Sequence, residues 1–170
     1  MLLISVGILT VSDKGARGER RDESGQVIST LITSIGAEVK YYEIVPDETD
    51  VISVKLMDWV EAGIDLVLTT GGTGLSPRDV TPEATMDVIE RPAPGLAEAM
   101  RSESLKTTPF AMLSRGVAGV RRNTLIINLP GSPKAAQECL SVIIPVLSHA
   151  VEILKGTVSE CATNDVHLDK

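Results

Sequence analysis

The chain has 170 residues, 43% hydrophobic and 23% charged, which is enough for one domain with a sizeable core and unlike a disordered composition. Its net charge of -7 at pH 7, with a pI near 4.8, argues against a general nucleic-acid binder, whose contact face would be basic. An acidic chain can still take a phosphorylated small molecule where its cations are gathered locally.

Residues 2–11 form a nearly continuous apolar run containing Val, Ile and Thr, the pattern of a strand covered on both faces. The run lacks a basic leader and a small-residue cleavage site. It breaks at Ser12-Asp13-Lys14, too soon to span a bilayer, so a cytoplasmic protein with no membrane partner is expected. Residues 12–22 are polar and carry Lys14, Arg17, Arg20 and Arg21 beside Gly15 and Gly18. They are read as a mobile basic loop whose position after a strand favours a functional role. From Glu23 the pattern turns helical, with Val27, Ile28, Leu31, Ile32 and Ile35 at three- and four-residue steps and Gly36 placed to stop it.

Residues 38–45 are a second strand, closed by Pro46-Asp47-Glu48. Ile52, Leu56, Trp59 and Val60 mark one face of a helix ending near Gly63, and this spacing makes Trp59 a core residue and not a ligand platform. Residues 66–70 form a third strand, which feeds the turn Gly71-Gly72-Thr73-Gly74. Thr81 is expected to cap the next helix, with Pro82 in its first position and Glu83 complementing its dipole. Pro92, Pro94 and Gly95 break that helix, and residues 96–105 resume a shorter one. A short apolar segment (110–113) precedes Ser114-Arg115-Gly116, and Arg121 and Arg122 are candidate phosphate contacts. Residues 124–129 are a strong strand ending in Pro130-Gly131-Ser132-Pro133-Lys134. The last helical pattern puts Leu140, Ile143, Ile144, Leu147, Val151 and Leu154 on one side, with Pro145 either kinking it or starting a second helix. Cys139 falls in that pattern as a small core residue. Cys161 lies in the polar tail, and with His149 and His167 the two cysteines lack metal-finger spacing.

Strands alternating with helices imply an α/β fold: a single three-layer α/β/α domain over residues 1–156 with a mainly parallel sheet, followed by a polar C-terminal tail, 157–170. Such sheets bind ligands outside the carboxyl ends of their strands. The basic loop, Asp47, the glycine turn and residues 130–134 each follow a strand, so four loops would converge on one edge.

The glycine turn is neither of two familiar nucleotide motifs. Gly74 is followed by Leu75-Ser76 where a P-loop needs Lys-Ser or Lys-Thr, and Pro77 stands where a dinucleotide fingerprint needs Gly or Ala. Arg78 can neutralise a phosphate, whereas Asp79 repels one unless a cation intervenes, which makes Asp79 a candidate Mg²⁺ ligand. Asp47, at the end of a neighbouring strand, is the second carboxylate, available to hold metal or accept a proton. Ser12 and Asp13 add polar contacts from the first loop. Ser132 either contacts a ligand or caps the last helix. The serines carry no nucleophile signature, which disfavours a covalent mechanism.

With Thr10-Val11-Ser12-Asp13, Val45-Pro46-Asp47-Glu48, Gly71-Gly72-Thr73-Gly74 and Pro77-Arg78-Asp79-Val80-Thr81-Pro82-Glu83 in view, the chain resembles the MogA/MoaB molybdenum cofactor family, which includes the G domains of gephyrin and its plant counterpart. Pro109-Phe110-Ala111-Met112-Leu113-Ser114-Arg115 and Leu125-Ile126-Ile127-Asn128-Leu129-Pro130-Gly131-Ser132 extend the resemblance, which covers roughly residues 5–156. It implies a molybdopterin adenylyltransferase that uses Mg²⁺ and ATP, with Asp47 and Asp79 as catalytic and metal-holding carboxylates. It also implies that Gly71, Gly72, Thr73 and Gly74 hold nucleotide phosphates. Ser12, Asp13, Arg78, Ser114, Arg115, Pro130, Gly131 and Ser132 would line the nucleotide and pterin pockets, and a homotrimer is expected. Two alternatives stay open: a molybdopterin-binding or delivery protein without adenylylation, and a trimeric scaffold.

Overall fold

The computed structural model describes residues 3–157, so Cys161, His167 and all of the polar tail but Thr157 lie outside the described residues. In chain order the elements are β1 (Ser5–Val11), α1 (Asp13–Ala16), α2 (Glu23–Ser34), β2 (Glu38–Val45), α3 (Thr49–Glu61), β3 (Leu66–Thr70) and α4 (Thr81–Val88). Then follow β4 (Arg91–Pro92), α5 (Pro94–Leu105), a 3-10 turn (Pro109–Leu113), β5 (Ala118–Arg121), β6 (Thr124–Leu129) and α6 (Pro133–Leu154).

The six strands form one sheet in the order β2-β1-β3-β6-β5-β4. The first four run parallel, and β5 pairs antiparallel with both β6 and β4. The apolar runs of β1, β3 and β6 make them central strands, buried almost throughout. Their side chains alternate between two cores. Val6, Ile8, Leu66, Leu68, Leu125 and Ile127 meet α2, α5 and α6 on one face. Leu9, Val11, Val67 and Ile126 meet α3 and α4 on the other. Trp59 belongs to the second core, 3% exposed, and stacks on Tyr41 of the edge strand at a centroid distance of 5.6 Å. It is a packing residue, as its spacing indicates.

The three-layer α/β/α arrangement therefore stands, with three departures from the sequence reading and one open alternative, at Pro145, decided. The basic loop is not wholly irregular: Ser12 accepts from Gly15 N and caps the short α1. Thr81 does not cap α4. It is the first helical residue, Val80 occupies the cap without a side-chain bond, and the Thr81 hydroxyl donates instead to Gly71 O at 2.9 Å. Residues 91–92 and 118–121 pair as the short strands β4 and β5, which the sequence reading did not include; α4 does end before Pro92 and Pro94, and Pro94 is the first residue of α5. Pro145 neither ends nor divides α6. It lies on the solvent side, as does Ser141 four residues before it, so water can satisfy the carbonyl that proline leaves without a donor. By length and composition α6 could cross a membrane, but Leu140, Ile143, Leu147 and Val151 spend its apolar face on the sheet.

Register aligns the strand ends. Thr10 pairs with both Ile44 and Thr70, and Thr70 pairs with Leu129, so four strands finish at one level. The chain leaves β1 for β2 on one side and returns past it to β3 on the other. That switch point puts a crevice at the carboxyl edge, between the loops after β1 and β3.

At the opposite edge Asp65, 5% exposed, accepts from Ser5 N and Ser5 Oγ, both at 2.9 Å, and pairs with Lys155 Nζ at 2.7 Å. Burial works against its charge, yet Lys155 and the two Ser5 donors together hold the carboxyl below the ordinary value of 3.8. A depressed folded-state value stabilises the protein above the unfolded value and is lost as pH falls through the folded one. Asp65→Asn should thus cost about 2 kcal/mol at pH 7 and flatten the acid limb of stability below pH 4, read by urea denaturation across pH. An unchanged acid limb would refute this role.

Candidate functional site

Three loops meet at Gly71. Its φ of 98° lies in the left-handed region, and a Cβ there would run into the Val11 carbonyl. Gly131 stacks on it from the β6 side, its own hypothetical Cβ 3.1 Å from Gly71 Cα. Gly72 follows at φ 65°, where a Cβ would run into Thr81 Oγ1 and stand 3.2 Å from Asp47 Oδ1. Hydrogen bonds fasten this junction: Thr81 Oγ1 and N donate to Gly71 O and Gly72 O, and Thr70 Oγ1 donates to Pro130 O at 2.7 Å. Beneath it Asn128 Nδ2 donates to Thr69 and Thr85, both at 2.9 Å, and Thr85 donates to Thr81 O at 2.8 Å. Every side chain in that network is buried and satisfied, which makes the turn rigid.

The resulting cleft has a volume of about 660 Å³ and is mostly polar in character. Ser12, Asp47, Gly71, Gly72, Asp79, Gly131 and Ser132 line it, so all four strand-end loops named from the sequence meet in one place. Ser132 also caps α6, its hydroxyl accepting from Ala135 N at 3.3 Å, which is the capping alternative raised from the sequence. A second, more apolar cavity of about 210 Å³ lies on the β6 side under α5 and α6. Arg101, Ser104, Ser114, Asn128, Pro130 and Cys139 line it. Pro130 thus borders the second cavity, while Gly131 and Ser132 border the first.

Asp13 and Asp47 bind each other's backbone: Asp13 N donates to Asp47 Oδ2 at 2.8 Å, and Asp47 N donates to Asp13 Oδ1 at 3.1 Å. Arg78 grips Asp13 with Nε at 3.0 Å and Nη2 at 2.9 Å. That fork, then the Asp47 amide, pulls the Asp13 carboxyl below its ordinary range. Arg78 is therefore engaged by Asp13, not aimed at a phosphate as its sequence position led one to expect. Asp47 behaves oppositely. Burial, and after it the Asp13 and Asp79 carboxylates, push its carboxyl above the ordinary range, although the Asp13 amide and Arg78 pull the other way. Asp79 closes its own turn, accepting from Ser76 N at 3.1 Å.

Arg115 also departs from expectation. It stands outside the cleft and clamps the glycine turn from behind, donating to Gly74 O and Asp79 O, each at 2.7 Å, and pairing with Glu83. Thr73 and Gly74 likewise support the turn without lining the cleft: Thr73 O accepts from Arg115 N at 2.9 Å. Arg121 ends β5 and Arg122 lies in the turn before β6, away from the carboxyl edge, where Arg121 donates to Val88 O and Arg122 pairs with Glu61. Thr10, Arg20, Arg21, Asp22 and Ser24 line the cleft and were not singled out as site residues. The one available signal was the loop's position after β1.

A pair of carboxylates does not make an all-protein metal cage, and among the described residues no group of three or more His, Cys, Asp and Glu could hold an ion. Two carboxylates lining one cleft, one with its charge disfavoured by burial and then by its carboxylate neighbours, suit a Mg²⁺ ion that arrives with phosphate oxygens and water as its other ligands.

Residues 7–149 match the family described as "probable molybdopterin binding domain". A molybdopterin adenylyltransferase of Helicobacter pylori is 44% identical over 161 residues, covering 92% of this chain and 90% of that protein. The molybdenum cofactor synthesis protein cinnamon of Drosophila melanogaster is also 44% identical over 92% of this chain, which spans only 26% of its length. In three dimensions the molybdopterin biosynthesis enzyme MoaB of Thermus thermophilus superposes with a TM-score of 0.86 at 55% identity, over 91% of this chain and 98% of that one. The chain belongs to the MogA/MoaB family of molybdopterin-binding domains.

Proposed function

We propose that this chain is a molybdopterin adenylyltransferase of molybdenum cofactor biosynthesis, taking ATP and molybdopterin as substrates. The observation that carries the reading is the convergence of Asp47, Asp79, Gly71 and Gly72 on one cleft beside a second, apolar cavity. Close relatives named for this activity, such as the Helicobacter pylori protein, support it.

In the reaction a terminal phosphate oxygen of molybdopterin attacks the α-phosphorus of ATP. The bond from that phosphorus to the bridging oxygen breaks, and pyrophosphate leaves with the electron pair. The protein's task is alignment and charge control, since no side chain forms a covalent intermediate. The cleft takes the nucleotide, with Gly71 and Gly72 forming part of its wall. The second cavity takes the pterin, whose flat ring suits its apolar wall and whose polar edge meets Ser104, Ser114 and Asn128. Pro130-Gly131 forms the border across which the two substrates meet. Asp47 and Asp79 would hold a Mg²⁺ ion, which supplies charge neutralisation at the phosphates.

Asp79→Ala and Asp47→Ala should each leave a folded protein with at least about a hundredfold less adenylylated molybdopterin and pyrophosphate formed from molybdopterin, ATP and Mg²⁺. Near-normal turnover in either would refute its role. A wild type that binds molybdopterin without turnover would select the delivery alternative, and one that binds neither substrate the scaffold.

The electrostatic reading has its own test. In a carboxyl NMR titration Asp47 should show a midpoint above the ordinary 3.8, and Asp79→Asn should lower it by removing a negative neighbour. A wild-type midpoint at or below 3.8 would overturn it. The ionised form is the one a cation holds, so Mg²⁺-dependent ATP binding weakens as pH falls through the raised value.

We assign the protein to a homotrimer in the cytoplasm. The family resemblance points to the trimer, and the exposure of Phe110 (75%) and Met112 (66%) on the 3-10 turn supports burial against another copy. Light scattering of the purified chain should give about three times 18.1 kDa, and a monomeric mass at micromolar concentration would refute this.

A further inference from the structure

The cleft that must take a polyphosphate is lined by four carboxylates, Asp22, Glu23, Asp47 and Asp79, and by only two cations, Arg20 and Arg21. Other arginines of the region are engaged elsewhere: Arg78 on Asp13, Arg17 on Glu19, and Arg115 on Glu83 and two carbonyls. Among the described residues neither Arg20 nor Arg21 forms an ion pair, and Arg21 donates to Gln26 Oε1 at 3.2 Å. Both are exposed, so their guanidinium groups reach a ligand without first breaking a bond to a carboxylate.

The segment that bears them is anchored immediately after Arg21. Asp22 caps α2 through Gly25 N at 2.9 Å, and accepts from Thr10 Oγ1 at 2.6 Å, from Ser24 Oγ at 3.2 Å and from the Tyr42 hydroxyl. Thr10 belongs to the central strand β1 and Tyr42 to the edge strand β2, so one carboxylate ties the loop to two strands. The packing is close: a Cβ on Gly25 would collide with Asp22, Tyr42 and Thr10 together. Burial, then the Asp22 carboxylate, pushes the Tyr42 phenol well above the ordinary tyrosine value, so it remains a donor.

Sheet order says which phosphates these arginines meet. The second cavity opens beside β6, whereas Arg20 and Arg21 follow β1, two strands away. An attacking group held on the β6 side leaves the β1 side to the far end of the nucleotide. We propose that Arg20 and Arg21 bind the β- and γ-phosphates of ATP and hold the departing pyrophosphate, with Asp22 as the positioning residue that fixes them at the cleft wall. This rests on the adenylyl-transfer reading and supplies its leaving-group contacts. A guanidinium fork matches phosphate oxygens two at a time, and charge grows on pyrophosphate as the bond to the α-phosphorus breaks.

The experiment compares ATP with AMP. Dissociation constants for each, with Mg²⁺ present, are measured by titration calorimetry on the full chain. Arg20→Gln combined with Arg21→Gln should weaken ATP roughly tenfold or more and AMP less than about threefold, because AMP lacks the phosphates the arginines address. Arg17→Gln, on the same segment but paired with Glu19, should change neither by more than about twofold. Asp22→Asn, which can still cap α2, should lower the preference for ATP over AMP in the same direction. A drop in melting temperature with that preference unchanged would overturn the positioning role. Unchanged ATP affinity in the double variant, or equal losses for ATP and AMP, would overturn the arginine assignment. A wild type that turns over while the double variant keeps its preference defeats this inference alone. A wild type that binds no ATP defeats it together with the function it rests on.

Discussion

The site depends on the distance of closest approach at Gly71. Strands β1, β3 and β6 end at one level, and their outgoing chains come into contact there, with the Val11 carbonyl on one side and Gly131 on the other. No L side chain fits between them, and the left-handed φ excludes most residues again. Because the backbone itself fills the junction, the loops can be bonded to each other through Thr70, Thr81 and Pro130 without intervening side chains. Those bonds fix the glycine turn in the cleft wall, with Asp47 packed beside Gly72.

Charge is the second constraint. On the adenylyl-transfer reading, a protein of net charge -7 must take an anionic nucleotide against its own field. The structure meets this by sorting its charges. Arg78 and Arg115 neutralise and brace the protein's own loops, while Asp47 stays in the cleft with its charge disfavoured by burial and then by the Asp13 and Asp79 carboxylates. Repulsion stored among carboxylates favours an arriving cation, and the same sorting leaves Arg20 and Arg21 for phosphate. Substrate affinity in such a site is regulated by what the free protein leaves unsatisfied as much as by what it presents.

Much of the fold was legible because its strands are buried on both faces and its helices carry regular apolar stripes. Residues 5–11, 66–70 and 124–129 announce themselves as central strands by continuous hydrophobicity, and Ile28, Ile32, Leu140, Ile143 and Leu147 by helical spacing. Edge strands were not legible: β4 has two residues, one of them proline, and β5 alternates too briefly to show a period. Thr81 misled for a related reason. Threonine before Pro82 looks like a cap in isolation, but its hydroxyl has a better acceptor in Gly71 O, ten residues back in sequence and adjacent in space.

By itself the sequence determined the layer architecture, the glycine turn, the two carboxylates Asp47 and Asp79 and the loops that bear them, since periodicity, φ preference and charge are local properties. Only the tertiary structure decided which cations are free to act. Arg78 and Arg115 sit in the motifs that look most functional, yet Asp13, 65 residues from Arg78, and Glu83, 32 residues from Arg115, engage them. Arg20 and Arg21 sit in a basic loop whose position hinted at function without marking either residue, and the Asp22 anchor to Thr10 and Tyr42 brings them to the cleft. Ion pairing depends on distance in space, which the order of residues along a chain does not encode locally.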